Sequence, residues 1–259
     1  MKKVTVIGMD LGDKNHKAIG LSESGVEVDR AEVPCTSEGV RAYLERHPGA
    51  LLAIETGTHC RWVAGVAGEL GHEVLVGNAR KLRVIWQSSR KDDWRDAEML
   101  ARIARSDRRL FHPVKLRNAD DQRLMRLVKS RDVLVRNRTA IVNQVRGFCK
   151  SEGAPLPRCS AEAFANLKEL LPPEVMDVAC HLFEVLQGLN DKIKRYDKII
   201  AKALKRLRGG DAALLDSIAG VGPVTAAAFL AAVGDPATFG SAREAGPYFG
   251  LVPRRDQSG

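Results

Sequence analysis

Long apolar runs are missing from this 259-residue chain. No stretch approaches the ~18 apolar residues of a membrane-spanning helix, which argues against such a span. Cysteine is sparse: Cys35, Cys60, Cys149, Cys159 and Cys180 are odd in number and widely spaced, with no CxxC pair. Neither a disulfide framework nor a zinc site is indicated, and His59-Cys60 has no further ligands at metal-binding spacing. The amino-terminal stretch reads as a strand interrupted by Asp10 rather than as a signal peptide. The expectation is a cytoplasmic, reduced protein without membrane contact. Negative charge is scarce in one region, where residues 101–150 hold 14 Lys/Arg against four Asp.

The net charge is +9 and the pI about 9.5. An acidic polymer is therefore a sensible partner, and the one-sign excess of residues 101–150 suits it better than an ordinary mixed-charge helix face would. At 44% hydrophobic residues the chain can bury a substantial core, in one large domain or two to three smaller ones.

Four carboxylates carry the chemistry. In Lys91-Asp92-Asp93-Trp94-Arg95-Asp96-Ala97-Glu98-Met99-Leu100-Ala101, Asp93 and Asp96 stand one helical turn apart on one face. Ala97, Leu100, Ala101, Ile103 and Ala104 give that helix a buried side. Alone, the pair also fits a solvated acidic first turn favoured by the helix dipole. Two further acids shift the balance. Val4-Thr5-Val6-Ile7-Gly8-Met9-Asp10-Leu11-Gly12 reads as a buried strand carrying Asp10, and Leu51-Leu52-Ala53-Ile54-Glu55-Thr56-Gly57 as an apolar run ending on Glu55. Charges are rarely placed on core strands without a partner. A strand Asp, a strand-end Glu and a helical Asp pair follow the ligand order of a two-metal nuclease. Hard oxygen donors suit Mg²⁺ or Mn²⁺, and two such ions can activate a nucleophile and stabilise a leaving oxygen.

Residues 1–108 alternate strands and helices. Lys17–Leu21 returns as a hairpin strand, and Ala31–Pro34 is a third strand. Ser37 caps a helix to Glu45, Arg61–Leu70 is a helix ended by Gly71, and Glu73–Val76 is a strand. Asn78 to Trp86 is basic, with Arg80 and Lys81 placed to meet a backbone phosphate. Hairpin strands followed by strand–helix alternation fit an RNase H-like α/β domain.

Residues 109–210 form a basic helical region. One long helix covers 119–150, with Leu124, Leu127, Leu134, Ile141, Val145 and Phe148 on a seam that Arg131 and Arg138 interrupt. A Pro-containing break follows, then a helix over Glu174–Leu207. There Leu182, Leu186, Leu189, Ile193, Tyr196, Ile200, Ala203 and Leu207 repeat at alternating spacings of four and three, the signature of a coiled-coil seam. The two helices could pair with each other, antiparallel within one chain, or build a dimer. Residues 211–259 are a third, helical piece. Leu214 to Ala227 reads as helix, tight turn at Gly220 and Gly222, helix, and is like a helix-hairpin-helix, whose turn amides can hold a DNA phosphate.

These motifs together resemble the DEDD transposases of the insertion sequence 110 family, across all 259 residues: GMDLG with Asp10, IETG with Glu55, KDDWRDAEMLA with Asp93 and Asp96, IAGVGPVTA, and YFGLVPRRDQSG. The family's usual K-T-D-x-x-D-A core here has Asp92 in place of Thr. The resemblance implies a RuvC-like nuclease domain in which Asp10, Glu55, Asp93 and Asp96 bind Mg²⁺ (or Mn²⁺). It implies a carboxy-terminal transposase domain in which Ser258 is the nucleophile that forms a phosphoserine with DNA. It further implies a structured guide (bridge) RNA that selects target and donor DNA by base pairing, a homo-oligomer whose subunits share the site, and a prokaryotic, nucleoid-associated setting. Arg80, Lys81, Arg131, Arg138, Gly220, Gly222, Arg254 and Arg255 are the candidate nucleic-acid contacts. The family's transposase domain normally continues past the serine, whereas this sequence ends one residue after it. The expectation is a fragment of a longer protein or an inactive truncated copy.

Three other readings compete. A sugar-kinase-like ATPase shares the Asp10-Leu11-Gly12 loop but needs a second phosphate loop and an adenosine motif, and neither is found. A Holliday-junction-type metal nuclease would use the four acids without serine chemistry. A non-enzymatic remnant would bind nucleic acid and dimerise through its heptads.

Overall fold

The computed structural model describes residues 3–85 and 92–251. The chain divides into two compact units, Met1–Leu116 and Arg117–Gly259.

The first unit is built on a five-stranded mixed sheet of order β3-β2-β1-β4-β5. β1 (Val6–Asp10), β2 (Asn15–Leu21) and β3 (Glu27–Pro34) form an antiparallel meander, whereas β4 (Leu51–Glu55) and β5 (Val74–Gly77) run parallel to β1. Period-2 alternation sorts the apolar residues onto two faces. Ile7, Met9, Leu52 and Ile54 join Val40, Tyr43 and Leu44 of α1 (Ser37–Glu45) and Val63, Val66 and Ala67 of α2 (Cys60–Glu69). Val6, Ile19, Leu21, Leu51 and Ala53 meet Ala97, Leu100, Ala101, Ile103 and Ala104 of α4 (Asp93–Ser106). Full burial of each Ile or Leu in these layers contributes on the order of 1.5–3 kcal/mol. α3 (Ala79–Ile85) leaves β5 and buries Leu82 in the second layer.

The cap of α1 differs from the Ser37 expected. Thr36 is the extended residue before the helix, and its hydroxyl accepts from the Gly39 amide at 3.1 Å. Ser37 is already helical, so its side chain stands past the capping position. The third strand is also longer than Ala31–Pro34, because β3 pairs with β2 along nearly its whole length.

The second unit is helical. α5 (Ala119–Ser151) and α6 (Pro173–Asp216) lie against each other in opposite directions: Arg131 meets Asp197, and Arg138 meets Asn190. Val142, Val145 and Cys149 pack with Phe183 and Leu186 at one end, and Leu124 packs with Ile200 and Leu204 at the other. Phe164, on a short 3₁₀ helix (Ala163–Leu170), stacks on Phe183 at 5.7 Å. The end expected for α6 at Leu207 falls at a real kink, where Arg208 leaves helical geometry (φ −141°, ψ 38°) before the helix resumes to Asp216. Arg208 donates to the Gly234 carbonyl at 2.7 Å and faces Asp121 and Asp211. Ala226, Ala227, Leu230 and Ala231 of α7 (Pro223–Val233) share the core of α5 and α6. The piece beginning at 211 therefore packs with the helical region within one unit. No described helix is long and apolar enough to cross a membrane.

Candidate active site

Asp10 and Glu55 are the last residues of β1 and β4. Those strands are parallel neighbours, with Val6 beside Leu51 and Gly8 beside Ala53. The same register carried two residues on sets Asp10 beside Glu55 at the carboxyl edge of the sheet. Alternation then fixes their face. Gly8 lies against α4, where a Cβ would stand 2.0 Å from the Ala97 carbonyl oxygen and 2.5 Å from the Ala101 amide nitrogen. Asp10, two residues later, and Glu55, two residues after Ala53, share that face. Both are half-buried.

The first turn of α4 supplies the other two acids. Asp92 is its N-cap, extended and accepting from the Trp94 amide at 3.1 Å. Asp93 is exposed and Asp96 half-buried. Their placement at the positive end of the helix favours their charge. Ala97, Leu100 and Ala101 hold the helix down, and because Ala97 touches Gly8 the acidic turn is kept at the edge where Asp10 lies.

A cationic stack adjoins this edge and was not evident from sequence. Lys17 is the cross-strand partner of Asp10. Its ammonium lies 4.9 Å from the Trp94 ring centroid, with the Arg30 guanidinium 5.1 Å from the same ring, and Lys17 also pairs with Glu32. Glu27 beside Arg30 holds that guanidinium's pKa above its ordinary value. Trp94 reads as one more apolar residue of a helix until the hairpin brings two cations to its faces.

Four carboxylates, three of them half-buried at one sheet edge, are a donor set that fits a hard divalent cation such as Mg²⁺ or Mn²⁺. Among the described residues, no three His, Cys, Asp or Glu side chains converge closely enough to hold a metal ion in the conformation seen.

A second polar group sits on the opposite face. Trp62 donates its indole N–H to His59 Nδ1 at 3.2 Å, so the ring proton lies on Nε2, 2.9 Å from Asp13 Oδ1. Cys35 Sγ is 3.7 Å from the same Nδ1, and burial, with Asp13 nearby, pushes the thiol pKa up. A thiol held protonated is a poor nucleophile.

The remaining candidates are scattered. Arg80 and Lys81 are exposed on α3. Arg131 and Arg138, on the seam where the sequence put them, tie the two helices together. Arg131 pairs with Asp197, while buried Arg138 donates to Asn190 at 3.0 Å and pairs with Glu162 at 2.8 Å. A seam position faces the neighbouring helix, and a guanidinium there needs partners on it. The signal was in the spacing: Arg131 and Arg138 are seven apart, as are Asn190 and Asp197. Gly220 (φ +86°) and Gly222 lie in an exposed turn before α7, with no atom within 4 Å of a Cβ built on either. Arg254, Arg255 and Ser258 lie outside the described residues.

The chain is similar to known proteins along most of its length. Residues 7–151 match the DEDD transposase domain of the IS110 type, and residues 212–259 match the transposase family IS116/IS110/IS902. The chain is 28% identical to a probable family 20 transposase of Pseudomonas aeruginosa, over 98% of this chain and 75% of that protein. It is 26% identical to the transposase for insertion sequence element IS1111A of Coxiella burnetii, over 100% and 71%. It is 29% identical to the transposase for IS1328 of Yersinia enterocolitica, over 100% and 77%. With its DEDD match covering more than half the sequence, the sheet-edge acids in the order found, and a second family match at its carboxyl end, the chain belongs to the IS110 family of insertion-sequence transposases.

Proposed function

We propose that this transposase cuts and rejoins DNA by metal-dependent phosphoryl transfer, with Asp10, Glu55, Asp93 and Asp96 as the ligands of Mg²⁺ or Mn²⁺. The observation that carries the reading is the meeting of two strand ends and one helix start. Asp10 and Glu55 end neighbouring parallel strands on the face that α4 covers, and α4 begins with Asp93 and Asp96. Bound there, a divalent ion would supply Lewis acidity to a phosphate oxygen. The protein's part is to hold the carboxylates at one edge through the Gly8–Ala97 contact and to keep Asp10 and Lys17 in register.

The nucleophile proposed is Ser258. Its Oγ would bond to a DNA phosphorus as the bond to a deoxyribose oxygen breaks. The hydroxyl proton passes to a base, and the released oxygen takes one up. Exposed Arg80 and Lys81, the turn at Gly220 and Gly222, and Arg254 and Arg255 would meet nucleic-acid backbone. Sequence choice would rest on a structured guide RNA. The helical region would serve a homo-oligomer in which subunits complete one another's sites. DNA is the partner expected of any transposase. The RNA, the serine chemistry and the oligomer rest on family resemblance.

The test is recombination by the purified protein with Mg²⁺, the element's RNA and both DNA partners. Asp10→Asn should abolish it, and Ser258→Ala should abolish the covalent protein–DNA adduct. Metal-dependent cleavage that survives Ser258→Ala would favour the junction-nuclease alternative. Binding without any cleavage would favour the remnant.

A further inference from the structure

A basic cleft lies at the outer edge of the sheet, beside the carboxylates. It has a volume of about 510 Å³ and is lined by Asn78, Lys81, Arg108, Arg109, His112 and Pro113. Its position follows from strand register. Glu55 pairs with Gly77, and Asn78 comes next. Neighbouring strands are about 4.8 Å apart, so the cleft opens one strand beyond Glu55.

Its charge is largely uncompensated. Glu73 pairs with Arg108, but among the described residues no carboxylate pairs with the side chains of Lys81 or Arg109. His112 adds a backbone observation. It is the one non-glycine among the described residues with positive φ, at 47°. Three ties hold it there. The Asn78 amide donates to the His112 carbonyl at 3.3 Å, Pro113 bridges Gly77, and the Val114 amide donates to Val76 at 2.8 Å. Proline next in sequence already disfavours the right-handed helical region for His112. A left-handed non-glycine held by its surroundings is a mark of sites where a side chain must be aimed. Here the strained turn sets an imidazole beside two cations.

We propose that Lys81, Arg109 and His112, with Asn78, form a phosphate subsite. It would grip the sugar–phosphate backbone of a nucleic-acid strand next to the phosphate presented at Asp10 and Glu55. This rests on the reading of that edge as the catalytic one. The ligand chemistry is a phosphodiester, and DNA and RNA both carry it.

The experiment measures binding of the whole chain to a labelled DNA duplex and to a labelled RNA hairpin across a salt series. The double variant Lys81→Ala/Arg109→Ala should weaken binding to at least one probe. The slope of log affinity against log salt for that probe should fall by about 2, as two phosphate contacts are lost. Loss on the DNA probe assigns the subsite to the substrate strand, and loss on RNA alone assigns it to RNA. His112→Gly keeps the left-handed backbone without the imidazole and should also weaken binding. Arg41→Ala, on α1, removes one positive charge from the other face and should leave the slope as it was. If the unaltered chain binds neither probe, the transposase reading fails for it. If it binds and the cleft variants match Arg41→Ala, the subsite alone is overturned. Thermal melts of each variant confirm folding.

Discussion

Gly8 on β1 and Ala97 on α4 meet backbone to backbone, with the Ala97 carbonyl oxygen 2.0 Å from where a Gly8 side chain would begin. Gly8 sits two residues before Asp10, and Ala97 directly follows Asp96. The contact therefore sets how near the acidic helix start comes to the acidic strand end. Gly8→Ala should push α4 outward. Because the obstacle is backbone, the cost should be at least about 2 kcal/mol, at the upper end of overpacking. Urea unfolding would read the stability. Nuclease activity should fall further than stability explains, and an unchanged midpoint would contradict the contact.

Removing one acid should separate chemistry from folding. Asp10→Asn and Glu55→Gln keep shape and lose charge. Each should reduce strand cleavage by at least about 10²-fold, since a metal contributes several kcal/mol of charge stabilisation and 1.36 kcal/mol is tenfold. Circular dichroism and melting should stay near those of the unaltered protein. A variant that cleaves normally would remove that residue from the site.

Arg138 should matter for stability and not for nucleic acid. Arg138→Ala leaves Asn190 and Glu162 without their partner, and about 1–2 kcal/mol should be lost. Glu162 is mostly exposed, so its share, measured by a double-mutant cycle, should stay below about 1 kcal/mol. Affinity for DNA and RNA should be unchanged once folding is matched. A drop in affinity would return Arg138 to the interface.

Stability should fall with mild acid through His16. This ring is fully buried on β2, and burial, with His59 beside it, lowers its pKa below the ordinary 6.5. The unfolded chain then binds more protons, so the stabilising contribution is complete above about pH 6.5 and declines as pH falls toward the folded value. Melts at pH 7.5 and 5.5 should show a smaller pH difference for His16→Leu than for the unaltered protein. Glu162 adds to this at lower pH: its own backbone amide and the Arg138 charge hold its carboxyl below the usual carboxylate range. That contribution is present above about pH 4.3 and lost as pH falls through the folded value.

Much of the fold was legible because its signals are local. Short apolar runs in Val6–Asp10 and Leu51–Glu55 marked buried strands, and the heptad seam from Leu182 to Leu207 marked α6. Asp10 and Glu55 stood out because each breaks an apolar run. Less legible were features set by what lies across a gap. Thr36 and Ser37 are both competent caps, and only the backbone angle chose between them. Arg138 stands on the seam in the sequence, but its partner Asn190 on the opposing helix shows only in the fold. Lys81 is distant in sequence from Arg109 and His112 and shares no motif with them, so the cleft they line is visible only when the segment after α4 returns to β5.

The sequence by itself determined which residues are chemically equipped: four carboxylates on elements that otherwise bury apolar faces, a basic middle, and motifs in family order. Those follow from residue type and short-range period, which the chain carries at every position. Tertiary structure decided which of them share a place. Strand register set the ends of β1 and β4, with Asp10 and Glu55, at one edge of the sheet, a missing side chain at Gly8 let α4 approach, and helix pairing gave Arg138 its partner Asn190. Such neighbours depend on long-range contacts, where one residue of register or one methyl group changes the answer.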